Sequence, residues 1–334
     1  MPLTYRVTAR VAHVSRLALL AVLVSPAFGC ADAKPPAAAA LDPAAVIDGD
    51  PLALLPAGPV ALGNLDARAF YTSGTTAGQL AAFAEATFPL GQEAGFSAAR
   101  DVDHAFLAVY AGASVDGVAI LSGRFDVAKM QALAASHAAT RLGPPCVALP
   151  YAGRTLFTVS NFAFSPLTDR TMIAGSEGAV RRVLDRLALA GPQPHLVREV
   201  ADWMTTAVQS PGSSFALVAD VAAIPPAAFH GFPLPPAMSG LSRLATIGDF
   251  NPPGINVAST LSYSDPSRAA VGAEGLRQLA SFVTIAGNLG AGPKVQNLSI
   301  VPEGANVGCK FALDDEAMRR TLATLSKLFA RPGG

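Results

Sequence analysis

The sequence predicts an α+β protein built from two similar units, each an antiparallel sheet with helices packed on one face. Segments in which apolar and polar residues alternate are joined by short turns, a pattern typical of hairpins. Segments with helical apolar spacing stand apart from these hairpins, which favours antiparallel units over a parallel, doubly wound sheet. Both halves of the chain follow the order strand, helix, hairpin, helix, hairpin, helix. This shared order predicts a tandem duplication, with a first unit at 58–192 and a second unit at 193–331.

The first unit is organised around a hairpin of two apolar strands, Asp103–Tyr110 and Val118–Phe125. Directly after it, Asp126 stands where a helix N-cap is expected, before apolar residues at helical spacing. The remaining predicted elements of this unit are a strand at 59–65, a helix at 79–88, strands at 147–151, 155–161 and 171–174, and a helix from Ser176 to Leu189.

The second unit contains a helical pattern that begins at Asp265-Pro266, a cap followed by a proline in the first turn. Its segments correspond in position to those of the first unit, Ile255–Gly287 to Val118–Arg141 and Val307–Ala330 to Thr171–Leu189. The other predicted elements are a helix at 195–208, strands at 214–221, 244–250 and 255–264, a hairpin of 295–301 with 307–313, and a final helix capped by Asp314.

The N-terminus has the pattern of an export signal at residues 1–29. Three arginines, with no acidic residue, precede the stretch LALLAVLVSPAFGC that ends at Cys30. Its apolar run of about eight residues is too short to cross roughly 30 Å of hydrocarbon as a stable helix. The sequence therefore predicts an exported protein with a cleaved signal in place of a transmembrane anchor.

The end of the signal resembles a bacterial lipobox, because Ala27-Phe28-Gly29 stands immediately before Cys30. In this interpretation Cys30 is acylated, becomes the first mature residue and holds the protein on a membrane. Ordinary signal-peptidase cleavage is the alternative, since the same small residues satisfy its rule, and it gives a soluble periplasmic or secreted protein. The following stretch, 30–57, is rich in Ala and Pro and is predicted to be a partly extended tether.

The remaining two cysteines, Cys146 and Cys309, form a possible disulfide in an oxidising compartment. Such a bond ties the two halves of the chain together. The alternative, which the sequence favours, is a pair of separately buried thiols that behave as small hydrophobes.

The charge balance argues against nucleic-acid binding. The chain carries 24 basic and 24 acidic side chains, and charged residues make up only 14% of it. The sequence has no basic block and no stripe of interleaved basic and aromatic residues, which nucleic-acid binding requires. A neutral, sparsely charged surface suits a protein attached to a membrane, and it also fits a high-GC genome that favours alanine.

The sequence offers no motif for catalysis, a metal or a cofactor. No histidine pair has ligand spacing, and neither Cys146 nor Cys309 has a CxxC partner, so no metal site is predicted. The densest polar cluster, Arg100–His104, is interpreted as a charged lead into a strand, with a carboxylate–imidazole pair or a cation site as the alternative. Gly175-Ser176-Glu177-Gly178 departs from the GxSxG pattern and is interpreted as a helix N-cap.

The most conspicuous irregular segment, Ala223–Met238, contains Phe229, His230 and Phe232. Long loops inside compact domains are often functional, so these three residues are candidates for a binding loop. The alternative is that the two phenylalanines simply pack onto the core.

Three segments, Gly123–Asp126, Tyr151–Phe157 and Gly175–Leu187, give the chain a resemblance to a known group of proteins. Together with the leader and the tether, they resemble predicted lipoproteins of myxobacteria and similar high-GC Gram-negative bacteria. The resemblance covers mainly residues 100–190. These families carry no assigned activity, so the resemblance implies no functional residue.

The leading hypothesis is a non-enzymatic, exported and lipid-anchored envelope protein whose sheets act as a binding or scaffold module for an envelope partner. The first alternative is a periplasmic carrier or sensor of an apolar ligand such as a lipid. A continuous apolar pocket of a few hundred Å³ is the feature that favours this alternative. The second alternative is a hydrolase with dispersed catalytic residues around Asp101–His104, which requires His104 to lie near a serine or a carboxylate.

Overall fold

Twelve strands among the described residues, drawn from both halves of the chain, join in one antiparallel sheet. The computed structural model describes residues 42–73, 85, 90–112, 115–140, 143–191, 196–225, 238–288 and 294–316. The strands are β1 (Ala61–Asp66), β2 (Val102–Ala111), β3 (Val115–Gly123), β4 (Val147–Tyr151), β5 (Arg154–Val159), β6 (Phe162–Pro166), β7 (Thr171–Ser176), β8 (Phe215–Asp220), β9 (Leu241–Asp249), β10 (Gly254–Tyr263), β11 (Val295–Glu303) and β12 (Asn306–Asp314). The described α-helices are α1 (Pro43–Gly49), α2 (Ala67–Thr72), α3 (Ala98–Asp101), α4 (Val127–Ser136), α5 (Glu177–Leu189), α6 (Asp202–Val208) and α7 (Pro266–Asn288), and short 3₁₀ helices lie at Pro51–Leu54, Gln92–Ala94 and Val221–Ala223.

The strands are ordered β11-β12-β10-β9-β8-β1-β2-β3-β7-β6-β5-β4 across the sheet. At its centre β1 pairs with β8 in antiparallel register, from Ala61↔Ala219 to Leu65↔Phe215. The α+β class with antiparallel pairing is thereby confirmed. The two halves share one sheet, and the β1–β8 pair is the seam between them.

The order of the strands repeats in the two halves. β3 leads into α4 and lies beside β7, and β10 leads into α7 and lies beside β12. The segments that correspond in the sequence therefore hold equivalent places in the sheet, in agreement with a tandem duplication. The β4–β5 hairpin at one edge is an addition of the first half.

Helices cover both faces of the sheet, and the prediction from the sequence that they pack on one face is therefore wrong. Successive strand residues point to opposite faces, and Ile120 packs with α5 while Leu121 packs with α4. Both sides of β3 and β7 are apolar, so each side needs a cover. Residues that pair directly across neighbouring strands point to the same face of the sheet. Followed from β3 through β1 and β8 to β12, the pairings place α7 on the same face as α4.

The N-terminal half of α7 lies close against the sheet because its inward residues are small. Ala269 and Ala273 are fully buried in one cluster with Leu261 and Val307. Gly272 approaches the ring of Tyr263 so closely that a Cβ on it would lie 2.2 Å from the tyrosine hydroxyl oxygen.

We expect Gly272→Ala to lower the free energy of unfolding by about 1–2 kcal/mol. Overpacking typically costs about 1–3 kcal/mol, and the better helix propensity of alanine offsets up to about 1 kcal/mol. Urea denaturation measures the change. Gly49→Ala is the control, since a Cβ there meets nothing within 4 Å; equal losses in both variants would contradict the close approach of α7.

Residues 42–57, here called the strap, pack into the core instead of forming a tether. The strap contains α1 and the 3₁₀ helix that follows it. It buries four large side chains almost completely: Ile47, Leu52, Leu54 and Leu55. They belong to the same core cluster as the inward face of α5.

Two features of the sequence explain how a proline-rich strap folds. Pro43 and Pro51 stand in the first turn of their helices, where the missing N–H has no intrahelical partner to lose. Asp48 Oδ1 accepts hydrogen bonds from the hydroxyl groups of Thr168 at 2.6 Å and Thr171 at 2.7 Å. The tether prediction for 30–57 is therefore wrong from residue 42 onward, and residues 30–41 lie outside the described part of the chain.

Most of the other predicted elements that the structure describes are confirmed with small shifts. The β2–β3 hairpin forms, and Asp126 Oδ1 caps α4 by accepting from the Lys129 amide at 3.1 Å. Strand β6 was not predicted, and the helix predicted at 195–208 begins only at Asp202. Two predicted helices, at 79–88 and after Asp314, lie largely outside the described residues.

Candidate apolar ligand site

The polar cluster Arg100–His104 is held in local ion pairs. Arg100 Nη2 lies 2.7 Å from Asp101 Oδ2, and Arg68 pairs with Asp103. The first pair fixes the turn into β2 and the second joins α2 to that strand. Both carboxylates form ion pairs that hold the start of β2 in place, which agrees with the structural interpretation of this cluster.

His104 lies opposite Asp66 on one neighbouring strand and opposite Ser122 on the other. No hydrogen bond joins these three side chains in the described structure; Asp66 Oδ1 accepts instead from the Ala69 amide at 2.8 Å and so caps α2. A nucleophile needs a base in hydrogen-bond contact, and the base needs an orienting partner. The strand register therefore places Asp66, His104 and Ser122 next to one another, but they do not make the hydrogen bonds of a catalytic triad.

We expect His104 to make stability depend on pH below about 6.5. Burial lowers the pKa of His104, and the Asp66 carboxylate opposes this shift. Between the lowered folded pKa and the ordinary unfolded pKa, the unfolded chain binds more protons, so stability falls as the pH falls through this window.

Urea denaturation of the wild type and of His104→Gln across this pH range measures the effect. The other histidines contribute equally to both curves, so the difference between the curves isolates His104. Parallel curves would show that His104 does not couple to unfolding.

Ser176 occupies the N-cap position of α5, as predicted, but its side chain does not bond to the helix. Its hydroxyl donates instead to Asp116 Oδ1 at 3.1 Å, while Asp116 Oδ2 accepts from Arg182 at 3.1 Å. The serine is therefore part of a structural link between β3 and α5.

Cys146 and Cys309 are both buried and unbonded, so the possible disulfide is wrong and the favoured pair of separate thiols is correct. Cys146 packs beside Phe157 under α4, and Cys309 lies under α7 on β12. Cys146 directly precedes β4, and β4 and β12 lie near opposite ends of the sheet order, which keeps the sulfur atoms apart. Burial raises the pKa of Cys146 to about 11 and also raises the pKa of Cys309.

A cavity of about 240 Å³ lies between the C-terminal half of α7 and strands β11 and β12. The described residues that line it are all aliphatic, aromatic or sulfur-bearing. The lining residues are Leu276, Leu279, Ala280 and Val283 of α7, Val295, Leu298 and Ile300 of β11, and Cys309, Phe311 and Leu313 of β12.

A β-bulge in the edge strand β11 shapes this cavity. The pairing of β11 with β12 shifts register between Gln296 and Ser299, and Asn297 has a φ of 53°. Asparagine tolerates this left-handed conformation better than most residues. Bulges re-aim side chains, and here Leu298 within the bulge lines the cavity.

The cavity opens to solvent between α7 and β11. Leu279 is 47% exposed and Leu298 is 42% exposed, although both also line the cavity. A smaller apolar cavity of about 150 Å³ is known to stay dry and to bind benzene. The chemistry of the site suits an apolar chain, and the thiol of Cys309, whose pKa burial raises, is the only titratable side chain among the described lining residues.

Sequence reasoning missed this site, because nothing in the pattern of α7 marks where helix and sheet separate. The Asn297-Leu298-Ser299 stretch was interpreted only as part of a strand. The predicted binding residues Phe229, His230 and Phe232 lie outside the described residues, as do Cys30 and the export signal.

Two further properties of the described residues bear on the site. No described helix combines the length and apolar character needed to cross a membrane. The described His, Cys, Asp and Glu side chains form no group of three or more that could hold a metal ion.

Comparison with known proteins gives a likeness in fold only. No protein-family model and no curated protein matches the chain. Crystal form III of TP0453 is similar with a TM-score of 0.47 and 10% identity, over 83% of this chain and 98% of that chain. Crystal form I of TP0453 is similar with a TM-score of 0.47 and 11% identity, over 84% of this chain and 97% of that chain.

Proposed function

We propose that the protein is a non-enzymatic binding protein of the cell envelope that holds an acyl chain in the α7 cavity. The observation that carries the proposal is the wholly apolar wall of a cavity of about 240 Å³. The proposal includes export through residues 1–29 and acylation at Cys30, both of which the sequence predicts. Of the sequence-based alternatives, it adopts the carrier or sensor of an apolar ligand.

The size and chemistry of the cavity define the ligand class. A methylene group is about the size of a water molecule, which occupies about 30 Å³, so the cavity holds roughly eight methylenes. Burying each methylene contributes about 0.8 kcal/mol, so a chain of that length gains roughly 6 kcal/mol before the cost of association. Because the described wall offers no polar group other than the weakly donating thiol of Cys309, the polar head must stay at the mouth, near Leu279 and Leu298.

A chain-length series of saturated fatty acids tests the proposal. The probe is 1-aminoanthracene, whose fluorescence reports displacement by each acid in turn. We expect affinity to rise about fourfold per added methylene, as 0.8 kcal/mol implies, and then to level off when the cavity is full. An absence of displacement, or affinities independent of chain length, would overturn the proposal.

A further inference from the structure

We infer that the outward face of α7 lies on the surface of a lipid bilayer, from which the cavity takes its acyl chain. This inference rests on the proposed function, since it names the source of the ligand. The face is called the outer stripe and comprises Val271, Leu279, Phe282 and Ile285.

The outer stripe exposes large apolar side chains that the fold does not need for its core. Phe282 is 72% exposed and Ile285 is 60% exposed, and Val271 and Leu279 are about half exposed. At 100° per residue these four positions fall within an arc of about 120° on the helix. The buried residues Ala269 and Ala273 lie on the opposite side, and Arg268 and Gln278 share the outward arc, so the outward face is most apolar in the last turns, at Phe282 and Ile285. A helix that is apolar all round normally has an apolar environment on each side.

Charge is absent along the part of the helix that carries most of this stripe. The sequence has no charged residue between Arg277 and Lys294, whereas Arg268 and Glu274 lie in the earlier turns of α7. Arg277 is turned toward the sheet, where its Nη2 donates to the Ile300 carbonyl oxygen at 3.2 Å. The last three turns of α7 can therefore enter the interfacial region of a bilayer without carrying a charge into it.

The outer stripe is continuous with the mouth of the cavity. Leu279 belongs to both, and Leu298 completes the apolar rim on the neighbouring strand. An acyl chain that moves from the bilayer into the cavity at this rim stays in contact with apolar groups. A protein partner bound to the stripe would block this path, because it would have to dissociate each time a ligand entered the cavity.

The length of chain before the strap limits how far the body lies from a membrane that holds Cys30. The strap holds Asp42 on the body, so only residues 30–41 separate it from the predicted acylation site at Cys30. Twelve residues span at most about 43 Å. A bilayer that holds Cys30 therefore lies at most about 43 Å from Asp42.

Vesicle flotation tests the inference in the absence of the anchor. The protein is the full chain with Cys30→Ala, expressed with its leader and recovered from the periplasm of a bacterial host, and the probe is phosphatidylcholine vesicles. We expect Phe282→Ser/Ile285→Ser to reduce vesicle partitioning at least about tenfold, because it removes the two most exposed residues of the stripe. The matched control is Leu189→Ser/Val197→Ser, which removes residues 88% and 72% exposed elsewhere and should change partitioning less than about twofold.

Two measurements separate this inference from the proposed function. The stripe variant should still bind fatty acids from solution, because neither Phe282 nor Ile285 lines the cavity. A chain without vesicle binding, or equal partitioning by the stripe variant and the parent chain, would overturn the membrane contact and leave the cavity result standing. A dimer in sedimentation that depends on Phe282 and Ile285, without flotation, would assign the stripe to a second copy of the chain and would also overturn it.

Discussion

A phenylalanine in place of Ala280 is expected to weaken fatty-acid binding by about a hundredfold. Ala280 lines the cavity from α7, so the new ring enters the space that the acyl chain uses. A cavity of about 150 Å³ is large enough to bind benzene, so the added ring takes roughly half of the available volume. Losing room for about four methylenes removes roughly 3 kcal/mol of binding free energy, or about two orders of magnitude in affinity.

Displacement of 1-aminoanthracene by the fatty acid that binds best to the wild type measures this effect. Ala270→Phe is the matched control, because Ala270 lies on the same helix, is exposed and does not line the cavity. Thermal unfolding of both variants checks that α7 remains in place. Unchanged binding by a folded Ala280→Phe protein would place the acyl chain elsewhere.

Leu54→Ala is expected to lower the free energy of unfolding by about 3 kcal/mol. Leu54 is fully buried beneath α5, and removing a buried leucine side chain typically costs about 2–5 kcal/mol. A leucine in a tether would contribute almost nothing, so the size of the loss distinguishes a strap from a tether.

Urea denaturation gives the loss, and Ala45→Ser provides the control in the same segment. Ala45 is exposed in α1, so its replacement should change stability by less than about 0.5 kcal/mol. A loss below about 1 kcal/mol for Leu54→Ala would mean that the strap detaches from the core in solution.

The parts of the fold that the sequence predicts well are those with local causes. The β2–β3 hairpin follows from two alternating strands around one turn, and the α4 cap follows from the position of Asp126. The strap was missed because Pro43 and Pro51 were weighed as helix breakers, although the first turn of a helix accepts proline. Its burial depends on contacts with Thr168 and Thr171, more than 100 positions away.

The faces of the sheet and the cavity were missed for a related reason. Ile120 and Leu121 are both apolar and point to opposite faces of the sheet. Only the structure shows that α5 packs on Ile120 and α4 packs on Leu121. The cavity depends on how far α7 stands from β11 and β12, a distance set by tertiary packing. The sequence could identify an apolar ligand as a possibility, but only the structure locates Ala280 and Leu298 around an empty space.

The β1–β8 seam has a consequence for how the chain can be divided. Its pairing from Ala61↔Ala219 to Leu65↔Phe215 is the kind of edge-to-edge contact that forms between separate polypeptides, and α6 packs across both strands. Two fragments cut between Gly191 and Leu196 retain every backbone hydrogen bond of the seam when they meet, so they should complement one another. The covalent link between the halves then raises the effective concentration of β1 and β8 for each other. It thereby prevents their exposed edges from pairing with strands of other molecules.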